Sequence, residues 1–300
     1  MTPSKPRTIV SAEWLRQRLG RDDIVIADCR FDLTDPAAGR LAYERDHVPG
    51  AVYFDLDKDL SGPVTGRGGR HPLPDMDRFA ELLGRRGVGD GVTVICYDDQ
   101  GGQMAARLWW LLRYAGHDDA AVLDGGYGAW RAAGGPVSAE VPAPAPRRFV
   151  LRLRPHMAVG MEDVRRIVDG GRDHGLIVDS RAPERYRGEA EPLDPVAGHI
   201  PGARNWPWME NLDQRGFFRG RDELEKRFAA LPDDMERVVF HCGSGVSACV
   251  NLLVLEHIGR PGAKLYTGGW SDWCSVPENP VAVGDETAAE GAEAEQGEGP

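Results

Sequence analysis

The sequence has no run of about 18 apolar residues, the length a helix needs to cross a bilayer, so no membrane span is expected. Its first stretch, MTPSKPRTIVSAEW, has no apolar h-region, so no secretory signal is expected and a cytoplasmic location is the default. Positive charge is scarce: 36 Lys and Arg stand against 47 Asp and Glu, a formal net charge of −11. A nucleic-acid partner wants a basic face, so none is expected. There is no C-x-x-C pair and no Cys/His cluster with zinc spacing. Nothing in the sequence points to a metal or an organic cofactor. The five cysteines, Cys29, Cys96, Cys242, Cys249 and Cys274, are odd in number and read as free thiols. The stretch GDETAAEGAEAEQGEGP (284–300) has no aromatic or β-branched anchor except one Thr, and its acidic composition predicts a disordered tail.

What is present is a chain of 300 residues, long enough for two domains, with an ordinary 41% apolar and 28% charged content. The chain repeats itself once. DCR (28–30) leads to HVPGA (47–51), and DSR (179–181) leads to HIPGA (199–203). VTVICYD (92–98) matches RVVFHC (237–242), and LDGGYGAW (123–130) matches LYTGGWSDW (265–273). A period near 150 residues is too long for a solenoid and means two copies of one domain. The join, VPAPAPRRF (141–149), alternates Pro and Ala and reads as an extended, semi-rigid linker. The expected division is therefore residues 1–140, linker 141–149, residues 150–283 and tail 284–300. In each copy, short apolar strands such as IVIADCR (24–30) and LIVDSR (176–181) alternate with amphipathic helices such as DRFAELLGRRGV (77–88) and RDELEKRFAAL (221–231). That alternation predicts an α/β fold, with a parallel sheet covered by helices on both faces in each domain. Working loops in such sheets lie at the carboxyl ends of the strands.

The stretch HCGSGVSACV (241–250) falls at such an end. A buried cysteine on a tight turn is the plainest reading of Cys242, but it does not account for the glycine-rich loop and the helix that follow at once. GSGVSA (243–248) fits G-x-G-x-x-[GA], yet the acid expected about 20 residues on is missing and the motif is not on the first strand. A phosphatase loop of the form H-C-x5-R needs an arginine where this chain has Ala248. The remaining reading is a nucleophilic thiolate in a nest of backbone amides at a helix N-terminus, an arrangement that stabilises negative charge on sulfur. Ser244 and Ser247 can donate to that sulfur; for Ser247, loop and N-cap duty are equally open.

With these motifs the chain resembles the tandem-domain rhodanese family over roughly residues 8–281. CGSGVSA (242–248) is similar to the active loop of that family's 3-mercaptopyruvate sulfurtransferases, with Ser247 where a Thr is usual. The resemblance implies two rhodanese-like domains. The second is catalytic, and the first is degenerate because Asp98 stands where its cysteine would be. It implies ping-pong transfer of a sulfane sulfur from 3-mercaptopyruvate or thiosulfate, through a Cys242 persulfide held by the loop of Gly243, Ser244, Gly245, Val246 and Ser247. The acceptor is a thiophile: cyanide, a small thiol, thioredoxin or another protein thiol. Arg185 matches the family's donor-binding arginine and Arg187 lies close to it. No arginine precedes GHIPG, where mercaptopyruvate enzymes carry a second one. His71 and Asp57 match first-domain positions that form a relay with Ser244. His47 and His199, common to both copies, are expected to be structural, and Trp270 and Trp273 to be core residues. The alternatives are a thiosulfate-preferring rhodanese and a non-enzymatic rhodanese-like binding or regulatory module.

Overall fold

The computed structural model describes residues 8–286. Most of the predicted tail, residues 287–300, lies outside them. In the first half β1 (Ile9–Val10), α1 (Ala12–Arg16), β2 (Ile24–Asp28), α2 (Ala38–Arg45) and β3 (Val52–Tyr53) are followed by α3 (Met76–Arg85), β4 (Thr93–Tyr97), α4 (Gln103–Tyr114), β5 (Ala120–Leu123) and α5 (Gly126–Ala132). The second half runs β6 (Ala158–Val159), α6 (Met161–Gly170), β7 (Leu176–Asp179), α7 (Pro183–Tyr186) and β8 (Arg204–Asn205), then α8 (Arg221–Phe228), β9 (Val238–His241), α9 (Ala248–Ile258), β10 (Lys264–Tyr266) and α10 (Gly269–Trp273). Residues 139–154, which include the Pro/Ala join, carry no helix or strand.

Both halves fold into five-stranded parallel sheets of the same order, β1-β5-β4-β2-β3 and β6-β10-β9-β7-β8. The central strands β4, β5, β7 and β9 are buried on both faces, as their unbroken apolar runs predict. Along β2, β4 and β5 alternate residues point to opposite cores. Ala27, Val94, Cys96 and Val122 face α3 and α4, while Ile26, Ile95, Ala121 and Leu123 face α1 and α5. The second sheet does the same with α8 and α9 on one side and α6 and α10 on the other. The two inner cores are continuous, because α4 packs directly on α9. The equivalent helix of each domain thus lies at the interface, and both are apolar around nearly their whole circumference.

The doubled D-x-R motif closes each sheet. Arg30 grips the Asp28 carboxylate through Nε and Nη2 at 2.6–3.1 Å and also donates to the Asp46 carbonyl at 2.6 Å. Arg181 holds Asp179 in the same way and donates to the Gly198 carbonyl at 2.7 Å. Each arginine therefore pins the start of the H-x-P-G-A loop to the end of a central strand. The histidines of that loop are structural, as expected. His47 and His199 are buried, stack on Tyr43 and Tyr186, and bond the carbonyls of those tyrosines through Nδ1 at 2.7 Å. Trp130 and Trp273 tie down the segments after each repeat by donating to the carbonyls of Pro136 and Pro280, and Trp270 lies in the outer core.

Burial alone would raise the Asp179 carboxyl; the Arg181 guanidinium, with His241 and further hydrogen bonds, pulls it down to about 2 instead. A carboxyl held below its ordinary value stabilises the fold above that value and loses its contribution as the pH falls through the lowered one. The pair's contribution is therefore complete above about pH 4 and fades towards pH 2. Asp179→Asn, which leaves Arg181 buried without its partner, is expected to cost about 3–5 kcal/mol in urea unfolding. The variant should also lose less stability than the wild type between pH 4 and 2.

Candidate active site

Cys242 is the first residue beyond β9. The register that sets Asp179 opposite His241 in the second sheet sets Asp28 opposite Tyr97 in the first, so Asp98 is the topological equivalent of Cys242. The Asp98 carboxylate accepts hydrogen bonds from four amides of its own loop and helix, those of Gln100 (2.9 Å), Gly102 (2.8 Å), Met104 (2.8 Å) and Ala105 (3.0 Å). Burial pushes this carboxyl up from its ordinary range, and the four amides oppose that rise. The strand–loop–helix unit is thus an anion nest, and in the first domain a tethered carboxylate fills it.

In the second domain the amides of Gly243 through Ala248 find no backbone acceptor among the described residues. Two features keep the loop in shape. Gly245 has φ +72°, and a Cβ there would meet the Thr267 carbonyl oxygen at 2.3 Å. The doubled glycine before Trp270 lets the start of α10 come against the loop's outer side. There the Trp270 amide donates to the Cys242 carbonyl and the Ser271 amide to the Gly243 carbonyl, both at 2.8 Å. These two bonds engage the carbonyls at the start of the loop and leave its amides without a backbone acceptor.

The Cys242 side chain lines a cavity of about 160 Å³ between the domains. Burial pushes the other thiols up, Cys249 to about 12 and Cys274 to about 11, with Cys29 and Cys96 raised as well. None of these four lines the cavity. All five cysteines are free.

The first domain contributes to this cavity through its long loop between β3 and α3. The Gly68 amide donates to Asp272 Oδ1 at 2.7 Å and the Arg70 amide to Ser271 Oγ at 3.1 Å, which fastens the loop over the active strand ends. The exchange is reciprocal: the second domain's loop covers the Asp98 loop, and the Phe218 amide donates to Asp124 Oδ1 at 2.9 Å. His71 Nδ1 is 2.7 Å from Ser244 Oγ, and His71 Nε2 is 3.4 Å from Asp57 Oδ1. The three residues expected to form a relay therefore meet. Burial, with the nearby charges of Arg107 and Arg70, lowers His71 to about 4, so its ring is neutral near pH 7.

Arg185 lines the cavity, with Nη2 at 2.6 Å from Glu191 and 3.4 Å from Asp194. Arg187 does not reach it. That side chain points to the surface and pairs with Glu189 at 2.8 Å, since a step of two residues at the end of the short helix α7 carries it to the opposite side from Arg185. The second cation is instead Arg70, from the first domain. It shares Asp194 with Arg185. A Cβ built on Gly243 would lie 2.9 Å from Arg70 Nη2 and 3.6 Å from both terminal nitrogens of Arg185. The two guanidiniums thus converge on the same end of the active loop from opposite domains. Val246, Ser247, Gly243 and Ser244 line the cavity as well, whereas Gly245 faces away from it and presents its carbonyl to Arg107 at 3.0 Å. Ser247 is the N-cap of α9 but makes no side-chain capping bond, so its hydroxyl is available to the cavity. Arg70 could have been found only as a charge in RGGRHPLP next to His71; its distance in sequence from Cys242 hid the rest.

The rhodanese-like domain model matches residues 11–133 and again 161–276. A probable 3-mercaptopyruvate sulfurtransferase of Pseudomonas aeruginosa is 41% identical over 288 residues, covering 92% of this chain and 98% of its own. The human 3-mercaptopyruvate sulfurtransferase is 36% identical over 299 residues, covering 94% and 98%. Among solved structures, the 3-mercaptopyruvate sulfurtransferase from Leishmania major superposes with a TM-score of 0.81 at 30% identity, over 92% of this chain and 76% of that one. The chain belongs to the rhodanese family. It is a two-domain sulfurtransferase.

Gly126, the first-domain counterpart of Gly269, also has a positive φ, and the two would carry a Cβ against the carbonyl oxygens of Asp98 (2.2 Å) and Cys242 (2.6 Å). Alanine at either is expected to cost about 1–3 kcal/mol of stability. Only Gly269→Ala should disturb the active loop and slow alkylation of Cys242 by about tenfold or more, a loss near 1.4 kcal/mol in the barrier. Unfolding curves and alkylation rates on the two variants check this.

Proposed function

We propose that the chain is a 3-mercaptopyruvate-preferring sulfurtransferase that works through a Cys242 persulfide. The convergence of Arg70 and Arg185 beside Gly243, within reach of Cys242, carries this reading. A donor with one carboxylate and a ketone fits two guanidiniums that the neighbouring acids partly neutralise. Thiosulfate, a compact dianion, wants denser net charge, and here Arg70, Arg181 and Arg185 meet Asp179, Glu191 and Asp194.

In the first half-reaction the Cys242 thiolate attacks the donor sulfur. The S–S bond forms as the C–S bond breaks, and its electron pair leaves on carbon as the enolate of pyruvate. The donor's S–H proton ends on that carbon, so Cys–S⁻ and mercaptopyruvate give Cys–S–S⁻ and pyruvate. Ser244 carries the proton, with His71 orienting its hydroxyl and Asp57 accepting from the far side of the ring. With Nε2–H directed to Asp57, Nδ1 is the acceptor for Ser244, which a neutral His71 permits. The outer sulfur rests in the amides from Gly243 to Ala248, and the Asp98 carboxylate in the first domain supports that assignment by example. In the second half-reaction an acceptor thiol takes the outer sulfur and its proton goes to the persulfide product, which restores Cys242.

The acceptor is a thiol or cyanide. Exposed Leu33, Leu193 and Met209 around the cavity mouth would suit a protein thiol such as thioredoxin. No helix among the described residues is long and apolar enough to cross a membrane. Five free cysteines suit the reducing cytoplasm. The domains run over residues 1–140 and 150–283, joined by 141–149.

Cys242→Ser is expected to abolish turnover, and donor treatment should add sulfur, about 32 Da per atom, to the Cys242 peptide alone. Mercaptopyruvate should exceed thiosulfate in kcat/KM. Arg70→Ala and Arg185→Ala should each lower mercaptopyruvate kcat/KM by one to two decades, the loss of a charge-assisted bond of roughly 1.5–3 kcal/mol. A tenfold preference for thiosulfate in steady-state kinetics would overturn the donor assignment, and full turnover by Cys242→Ser would overturn the mechanism.

A further inference from the structure

Among the described residues three arginines are almost wholly excluded from solvent: Arg30, Arg107 and Arg181. Arg30 and Arg181 each grip an aspartate. Arg107, in the middle of α4, has no carboxylate within ion-pair range among the described residues. Its guanidinium donates to three carbonyls, those of Gly245 (3.0 Å), His71 (3.2 Å) and Leu60 (3.4 Å). Its Nε, also buried, meets no acceptor. A lone buried charge costs several kcal/mol, so chains rarely retain one without a partner.

The placement suggests the partner. Leu60 and His71 bound the first domain's covering loop, and Gly245 is the centre of the second domain's active loop. Arg107 therefore clasps the two loops that make the cavity. The sulfurs that face it are those of Cys249, which interacts with it more strongly and also hydrogen-bonds it, and Cys242. Cys249 is a neutral thiol, pushed up to about 12 by burial, and it donates to the Gly245 carbonyl at 3.5 Å. His71 is neutral as well. The cations that line the cavity already have carboxylates: Arg70 and Arg185 share Asp194, and Arg181 holds Asp179 and Glu191. Cys242 is left as the group that can bring negative charge to Arg107.

We propose that Arg107 is a positioning residue and the resident counter-cation of the sulfur anion. It fixes the covering loop to the active loop, and it acquires a counter-ion only when Cys242 is a thiolate or a persulfide. This rests on the persulfide reading above and adds a residue of the non-catalytic domain to it. One consequence is that loading sulfur should stabilise the folded protein, because it satisfies a charge that the resting thiol leaves unmet.

The test uses the full chain with Arg107→Gln, which keeps N–H donors for the carbonyls but drops the charge, and Arg107→Lys, which keeps the charge. At neutral pH, Cys242 in Arg107→Gln should react with iodoacetamide about tenfold more slowly than wild type, and Arg107→Lys should recover most of that rate. The thiolate ultraviolet absorbance lost on alkylation should fall in parallel. In the wild type, treatment with 3-mercaptopyruvate should raise the melting temperature by about 2 °C or more, and Arg107→Gln should lose that rise. A folded Arg107→Gln protein with wild-type alkylation rate and absorbance would overturn the proposal, as would a sulfur-loaded wild type that melts no higher than the reduced form. If Arg107→Gln fails to fold, Arg107→Lys and the wild-type melting shift decide. Absence of sulfur on wild-type Cys242 after mercaptopyruvate would defeat the donor reading alone, because the alkylation comparison would still judge Arg107.

Discussion

The packing of α4 on α9 is the contact from which the rest of the site follows. Each helix begins at the loop that matters in its domain, so bringing the two together brings both loops to one interface. It also swings the long loop of each domain over the other's strand ends. The apolar circumference of both helices forces this arrangement: neither could be left against water without exposing residues such as Trp109, Leu111, Leu253 and Leu255. A sheet and a cysteine loop alone would give half a site. The interface adds His71, Arg70 and Arg107, all from the domain in which Asp98 stands at the position of Cys242.

The catalytic loop itself is held by small contacts. α10 engages the carbonyls of Cys242 and Gly243, and the six amides that follow have no backbone acceptor among the described residues. The glycine pair repeated in both halves serves that close approach. Fixed dipoles of this kind need no reorganisation when charge arrives on sulfur, which suits a site that alternates between thiolate and persulfide.

The two-domain α/β fold could be read from the sequence because its signals are local or repeated. Apolar strands, H-x-P-G-A, D-x-R and the glycine pair occur twice in the same order, and Cys242 stands out by the glycine-rich loop and helix that follow it, with Asp98 in its place in the other copy. The relay of Asp57, His71 and Ser244 came from resemblance and meets in space. What could not be read was long-range and charged. Arg107 meets Gly245 across 138 positions, and Arg70 meets Asp194 across 124. Arginines are common on surfaces, and nothing in a sequence distinguishes one that folds inward. Arg187 shows the converse error: closeness in sequence to Arg185 placed it in the site, but the turn after α7 carries it outward to Glu189.

The Asp98 carboxylate gives the duplicated architecture a further meaning. An anion tethered by its own chain is at very high effective concentration in its nest and does not leave on a catalytic timescale. The first domain is in effect a copy of the loop with an anion built into it. In the second domain the same cradle holds a charge that must arrive, wait and depart. The two halves therefore differ less in architecture than in residence time: one copy holds its anion for the lifetime of the fold, the other for a single turnover.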